Sequence, residues 1–103
     1  MAKNFQDLFG RVIRLTTERE AHILRHLEMQ GQIDKLEGVL KSPDVIVRSN
    51  RDPAVILYHK HYLATPVTEK YLIVAVKLEA DDGFVITAFF TDGVKKGERI
   101  WEK

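Results

Sequence analysis

The chain contains no cysteine. This excludes a disulfide framework, a thiol nucleophile and thiolate metal ligands. It also has no apolar run near the roughly 20 residues that a membrane-spanning helix needs. Its first residues, MAKNFQD, are too polar for a signal peptide. We therefore expect a soluble cytoplasmic protein without a membrane partner.

Neither sign of charge is in clear excess, because 16 Lys and Arg residues stand against 15 Asp and Glu residues, for a net charge of +1. The protein as a whole therefore has no field that would attract nucleic acid, although a local basic patch can still do so. An apolar content of 45% is ordinary for a globular protein. The 103 residues fit one domain with a single core.

Motifs of several enzyme classes are also missing. The sequence has no Walker motif, glycine-rich phosphate loop or nucleophile elbow. Its aspartates fall at predicted strand ends and turns, where Asp has a structural role, and no pair suits a glycosidase or a two-metal site. These aspartates are Asp44, Asp52, Asp81, Asp82 and Asp92.

Hydrophobic periodicity divides residues 1–103 into four parts of one domain. They are a lead-in over 1–10, a helical part over 17–41, a sheet over 44–91 and a C-terminal tail over 94–103. The short links between the predicted strands favour antiparallel neighbours. We expect an α+β fold in which N-terminal helices pack on a four-stranded antiparallel meander. The predicted helices cover 17–29 and 32–40, and the predicted strands cover 44–49, 54–63, 70–79 and 84–91.

The first predicted helix contains two histidines four residues apart, His22 and His26. Thr17 and Glu20 fit a capping box at its start. Residues i and i+4 of a helix lie one above the other, so both imidazoles share a face that the apolar residues do not occupy. Two arginines lie on or beside this face, Arg19 and Arg25.

Histidine can give and take protons near neutral pH, so this pair is the leading candidate for acid–base catalysis. Two alternatives remain open. The histidines can simply be solvated, or they can form half of a zinc site. The metalloprotease motif is absent, because Ile23 stands where its Glu would be, and no spacing suggests a third ligand. We therefore predict no metal and no other cofactor.

Polar residues within the predicted sheet suggest where a phosphate would bind. If 81–83 forms a three-residue hairpin loop, Lys77 faces Thr87 across the two strands. The alternative is a rim lysine beside a strand threonine. Arg48 and Ser49 end the first predicted strand, and Tyr58 lies in a stretch of interleaved basic and aromatic residues. We assign these three to substrate binding, although alternation splits that stretch between two faces.

The order of motifs resembles the phage-associated barnase–EndoU–colicin–RelE-like nucleases. The similarity covers about residues 11–101. One departure is Leu27, which stands where relatives tend to carry proline after Arg-His. The matching motifs are T-x-E-R-x-x-H-I at 16–23, R-H at 25–26, K-S-P-D at 41–44, V-R-S at 47–49, D-P at 52–53, Tyr58, V-A-V-K at 74–77, D-G-F-V-I-T-A-F at 82–89 and G-E-R-I-W at 97–101.

The resemblance implies a barnase/RelE-like fold and metal-independent cleavage of RNA, often by a toxin that a small antitoxin protein restrains. In this hypothesis the 2′-hydroxyl attacks the adjacent phosphate. The alternative is a non-enzymatic module of the same fold that binds RNA or protein. The catalytic residues would be His22, His26, Lys77 and Thr87, with Arg19, Arg25, Arg48, Ser49 and Tyr58 binding the substrate.

Overall fold

The structure is a computed structural model that describes residues 2–103, and its main element is one seven-stranded sheet. The strand order across the sheet is β1-β2-β6-β5-β4-β3-β7. Two short 3-10 turns, Leu27–Met29 and Ile33–Lys35, lie between the helices. The elements are β1 (Lys3–Gln6), β2 (Val12–Leu15), α1 (Thr17–Leu24), α2 (Leu36–Lys41), β3 (Val45–Arg48), β4 (Val55–Tyr62), β5 (Lys70–Glu79), β6 (Asp82–Thr91) and β7 (Glu98–Glu102).

The predicted four-stranded antiparallel meander with N-terminal helices, and with it the barnase/RelE-like architecture, is wrong. The sheet has seven strands and is mixed, because β2 runs parallel to β6. The lead-in forms β1 and the tail forms β7. Both lie at the edges of the sheet and bury little, so their side chains do not show the alternation that marks a half-buried strand.

The helical part is shorter and less regular than predicted. α1 ends at Leu24, and His26 has an extended backbone with φ −80° and ψ 120°. The N-cap is Thr16 rather than Thr17, because the Thr16 hydroxyl accepts the backbone N–H of Arg19 at 3.1 Å. The Glu20 carboxylate pairs instead with Lys3 at 2.8 Å. The predicted capping box therefore does not form.

One face of the sheet packs against α1, α2 and the 3-10 turns and forms the main core. Alternation along each strand sends every second side chain to this face. We call the other face, which no helix within residues 2–103 covers, the open face. Among the fully buried residues of the main core are Ile13, Leu15, Ile23, Met29, Leu36, Leu40, Ile46, Ile56, Tyr58, Leu72, Val74 and Val76.

Gly83 lets three strands approach closely where β6 lies between β5 and β2. A Cβ atom at this position would lie 2.7 Å from the carbonyl oxygen of Lys77 and 3.5 Å from Cδ1 of Ile13. The first distance is shorter than real carbon contacts allow. This glycine is therefore required for the close approach of β6 to β5 at Lys77, whereas the contact with β2 would be an ordinary van der Waals contact.

A six-residue connection, 92–97, joins β6 to β7 across the open face. β6 and β7 are separated in the sheet by β5, β4 and β3, so the chain must cross all three. It approaches the backbone of β3 closely at Gly97, whose φ of +151° favours glycine and where a Cβ atom would overlap the carbonyl oxygen of Arg48. We refer to 92–97 as the crossing segment.

The β1–β2 hairpin is tied to the middle of the sheet by a buried carboxylate. Asp7 is 4% exposed and accepts four hydrogen bonds. Two come from the backbone N–H groups of Phe9 and Arg11, one from Arg11 Nε at 2.8 Å, and one from the Tyr58 hydroxyl at 2.5 Å. Burial raises the pKa of Asp7, but the hydrogen bonds from Tyr58 and Arg11 outweigh it, so the pKa is lowered overall.

Replacing Tyr58 with phenylalanine tests this network. The Tyr58→Phe substitution leaves the Asp7 carboxylate buried with one donor fewer, which should lower the free energy of unfolding by about 1–3 kcal/mol. Urea denaturation at pH 7 measures this change. Tyr71→Phe is the matched control, since Tyr71 is half-buried on the open face, and it should change stability by about 0.5 kcal/mol or less. Equal effects of the two substitutions would show that the network contributes nothing.

Candidate functional site

The two histidines predicted to catalyse remain neighbours although the helix ends between them. The ring centroids of His22 and His26 are 6.3 Å apart, with an angle of 86° between the ring planes. His22 is half-buried and His26 is exposed. His26 lies beyond the end of α1, so the two rings do not stack as they would at i and i+4 of a continuous helix.

Arg19 and Arg25 complete a group of four side chains that we call the cationic cluster, comprising Arg19, His22, Arg25 and His26. Within residues 2–103, none of its members forms an ion pair. Most other arginines of the described chain have a carboxylate partner, for example Arg11 with Asp7. The cluster therefore combines uncompensated positive charge with two groups that can carry protons, which is what a phosphate ester undergoing proton transfer requires.

The cationic cluster and Thr87 lie on opposite sides of the sheet. Both α1 and the 3-10 turn after it contact β6. Thr87 pairs with Ala75 on β5, which places it on the open face. Because α1 packs on the helical face of β6 while Thr87 points to the open face, the sheet separates the cationic cluster from Thr87, and the predicted composite site does not form.

The predicted pairing of Lys77 with Thr87 is wrong. The turn between β5 and β6 contains two residues rather than three, so Lys77 pairs with Phe84. A β-bulge between Ala75 and Val76 then shifts the register by one residue. Lys77 and Thr87 still share the open face as diagonal neighbours, with Cα atoms about 7–8 Å apart.

Lys77 is already engaged by a carboxylate. Its ammonium group lies 2.7 Å from Asp52 Oδ2. The hydrogen bond from Lys77, followed by one from the Ala54 backbone, lowers the pKa of Asp52. Both side chains are about 40% exposed, so this is a surface pair of small energy that an incoming phosphate can displace.

Three of the five residues assigned to substrate binding, Arg48, Ser49 and Tyr58, make contacts within the protein. Arg48 donates to the Pro53 carbonyl at 2.7 Å and lies 3.4 Å from Glu98. The Ser49 hydroxyl accepts the Arg51 backbone N–H. Tyr58 is fully buried against Asp7, where burial raises its pKa and the Asp7 carboxylate raises it further. Tyr58 therefore belongs to the core, and no base can stack on it in this structure.

Aromatic and cationic side chains that the sequence analysis did not select lie on the open face. The Tyr71 ring contacts His61, with centroids 5.1 Å apart, and Lys95 Nζ lies 5.6 Å from the centroid of Phe89. Tyr71 and Phe89 lie on β5 and β6 at positions that alternation assigns to the same face. The alternation of side chains could therefore have predicted that Tyr71 and Phe89 share a face. The sequence could not predict that Lys95 lies on the same face, because this depends on the path of the crossing segment.

His59 holds the crossing segment against the sheet. Its ring is fully buried, and its two nitrogens have fixed roles. Nδ1 donates to the Leu57 carbonyl at 3.0 Å, and Nε2 accepts the Lys95 backbone N–H at 3.1 Å. Burial lowers the pKa of His59, and the nearby cations Arg99 and Lys95 lower it further. The imidazole is therefore held neutral, which keeps Nε2 available as an acceptor.

This arrangement predicts a pH-dependent stability. Because the pKa of His59 is lowered by folding, its contribution is fully present above the ordinary histidine pKa of about 6.5. It is lost as the pH falls from there through the folded-state pKa. The unfolding free energy of the wild type should decrease between pH 7.5 and pH 5, as measured by urea titration. His59→Gln retains an acceptor but cannot titrate, so it should decrease less. Identical pH dependence in both proteins would contradict this role.

The described residues 2–103 contain no group of three or more His, Cys, Asp or Glu side chains placed to hold a metal ion. No helix in the same part of the chain is both long and apolar enough to cross a membrane.

The sequence matches no family model and no curated protein, and the fold matches no solved structure. The resemblance to nucleases therefore depends on the sequence motifs alone.

Proposed function

We propose that this protein is a metal-independent endoribonuclease whose acid–base residues are His22 and His26. The observation that carries the proposal is the cationic cluster, in which two adjacent imidazoles and two guanidinium groups lack carboxylate partners within residues 2–103. A phosphodiester brought to this cluster would meet positive charge and both proton-transfer groups together.

The chemistry divides into two proton transfers and one displacement. One imidazole removes the proton from the ribose 2′-hydroxyl, and the 2′-oxygen attacks the adjacent phosphorus. The bond from phosphorus to the 5′-oxygen breaks, and the other imidazole, in its protonated form, donates a proton to that oxygen. The products are a 2′,3′-cyclic phosphate and a 5′-hydroxyl. Arg19 and Arg25 would stabilise the charge that develops on the phosphorane oxygens.

The proposal is limited to the cationic cluster. Thr87 and Lys77 are left out, because they lie on the open face and α1 packs against the other face of the sheet. Tyr58 is left out because it is buried. We propose that the enzyme acts in the cytoplasm, where proteins do not depend on disulfide bonds for stability. We also propose that it is a toxin restrained by a small antitoxin protein.

RNA cleavage by the His22→Ala variant tests this proposal. A mixed RNA pool is incubated with EDTA and the purified protein. The wild type should cut the pool, and removal of one proton-transfer group should reduce the rate at least 100-fold, by order of magnitude. His61→Ala is the matched control, because His61 is half-buried and pairs with Glu69 at 2.7 Å. The control should cut like the wild type, with a bell-shaped pH profile near neutrality.

Cleavage that survives in His22→Ala would remove this residue from the mechanism. Cleavage that requires an added divalent cation would contradict the metal-independent reaction. If neither the wild type nor the control cuts any RNA while both are folded, as judged by circular dichroism, the enzymatic proposal is wrong.

A second candidate function is RNA binding without cleavage, and the open face is the observation that favours it. Tyr71 and Phe89 offer aromatic rings that are half-buried, and Lys95 and Arg99 add positive charge along the same face. Proteins that bind single-stranded nucleic acid commonly combine stacking rings with such cations. This surface needs no histidine chemistry.

Salt-dependent binding separates this candidate from the enzyme. Binding of a labelled single-stranded RNA should weaken steeply with salt, and Lys95→Glu should reduce its affinity roughly tenfold and lower the salt slope. Lys103→Glu makes the same charge change at the exposed C-terminus and is the control. Equal effects of both substitutions would show that only net charge matters and would exclude the open face as the binding surface.

A further inference from the structure

A groove lies along the helical side of β1, separate from the open face. It consists of two depressions of about 400 and 450 Å³, and Lys3 lines both of them. α1 lines the first depression, and the 3-10 turn Ile33–Lys35 together with α2 lines the second. We call this feature the β1 groove.

The two depressions differ in chemistry. The first is mainly apolar and is lined by Ala2, Ala21 and Leu24, while its one carboxylate, Glu20, is already paired with Lys3. The second has an apolar base made by Phe5 and Ile33 and a rim with two carboxylates. An apolar side chain suits the first depression, and a side chain that is both apolar and cationic suits the second.

The carboxylates of the second depression are Asp34 and Glu37, and they carry negative charge that is not fully balanced. Asp34 is exposed and forms no ion pair within residues 2–103. Glu37 lies 3.6 Å from Lys41, which is a long contact between two exposed side chains. This rim would repel the phosphates of a nucleic acid. It favours a cationic ligand instead.

The strand at the base of the groove can also offer backbone hydrogen bonds. β1 is the outermost strand of the sheet, so within the described chain its outer edge pairs with no other strand. Lys3 and Phe5 are two residues apart and line the groove side by side. An extended segment added at this edge would send every second side chain to the same face, about 6.5–7 Å apart.

We propose that the β1 groove binds an extended segment of a partner protein that carries an apolar residue and, two positions away, an arginine or lysine. The apolar side chain fills the depression beside Ala21 and Leu24. The aliphatic part of the basic side chain packs on Phe5 and Ile33, and its charged end reaches Asp34 and Glu37. This inference does not rest on the proposed nuclease activity.

Peptide binding tests the proposal with the full chain. The probe is a fluorescein-labelled decapeptide of threonines in which Arg, Leu and Arg occupy every second position, and the control probe has Glu in place of Arg. Fluorescence anisotropy should show at least tenfold tighter binding of the Arg peptide, as a rough expectation for charge complementarity. Asp34→Lys should weaken it about fivefold, since an exposed attraction becomes a repulsion.

Matched variants separate a specific groove from general attraction. Asp81→Lys makes the same charge change in the exposed turn between β5 and β6 and should bind like the wild type. Ala21→Trp should fill the first depression and abolish binding, whereas Ala64→Trp, in an exposed loop, should not. In NMR titrations the peptide should shift the amide signals of Leu24 and Ile33.

Three results would overturn the proposal. The first is the same loss of affinity in Asp34→Lys and Asp81→Lys, which would mean that only net charge attracts the peptide. The second is a set of amide shifts that excludes the groove. The third is that the folded wild-type protein does not bind the Arg peptide even at millimolar concentration.

Discussion

The carboxylate of Asp7 holds the N-terminal hairpin onto the rest of the molecule, and the positions of the other functional features depend on it. Its four hydrogen bonds join the hairpin turn to Tyr58 in the middle of the sheet. A buried carboxylate is unfavourable unless every lone pair has a donor, so this arrangement is specific for one docking geometry. It fixes the position at which β2 starts in the sheet. The position of α1 depends on this in turn, because α1 begins two residues after β2 ends.

From that anchor the molecule divides into surfaces of different charge. The cationic cluster lies on α1 and on the two residues that follow this helix. The β1 groove, with its carboxylate rim, lies beside α1 and α2. The net charge of +1 hides this separation, because the positive and negative regions cancel in the sum. These are the separate surfaces at which the two proposed ligands, a polyanion and a basic segment of a protein, would bind.

The sequence predicted the local elements better than the way they assemble. Alternation predicted that the stretch around Tyr58 divides between two faces, and Tyr58 and its neighbour His59 do lie on opposite faces. The four predicted strands also form. The edge strands were missed, because Lys3–Gln6 has only one apolar residue and no alternation to detect. The β-bulge leaves Ile86 of β6 without a partner on β5, and no local preference at this position signals it.

The same contrast holds for the candidate site. The spacing of four residues predicted that His22 and His26 lie close together, and their rings are neighbours. The sequence did not predict that α1 ends at Leu24, because the apolar residues keep a helical period up to Met29. The positions of Lys95 and of the groove depend on long connections and on which elements lie side by side. Only the assembled sheet determines these relations.

The four histidines show why burial and partners, rather than residue type, indicate which one is free to react. His59 is buried with both nitrogens engaged, so a proton taken up there would break its contact with the crossing segment. His61 is held by Glu69. The rings of His22 and His26 lie 6.3 Å apart, and neither histidine forms an ion pair within residues 2–103. A group that exchanges protons with a substrate must be accessible and must not be needed to hold the fold. This pair meets both conditions.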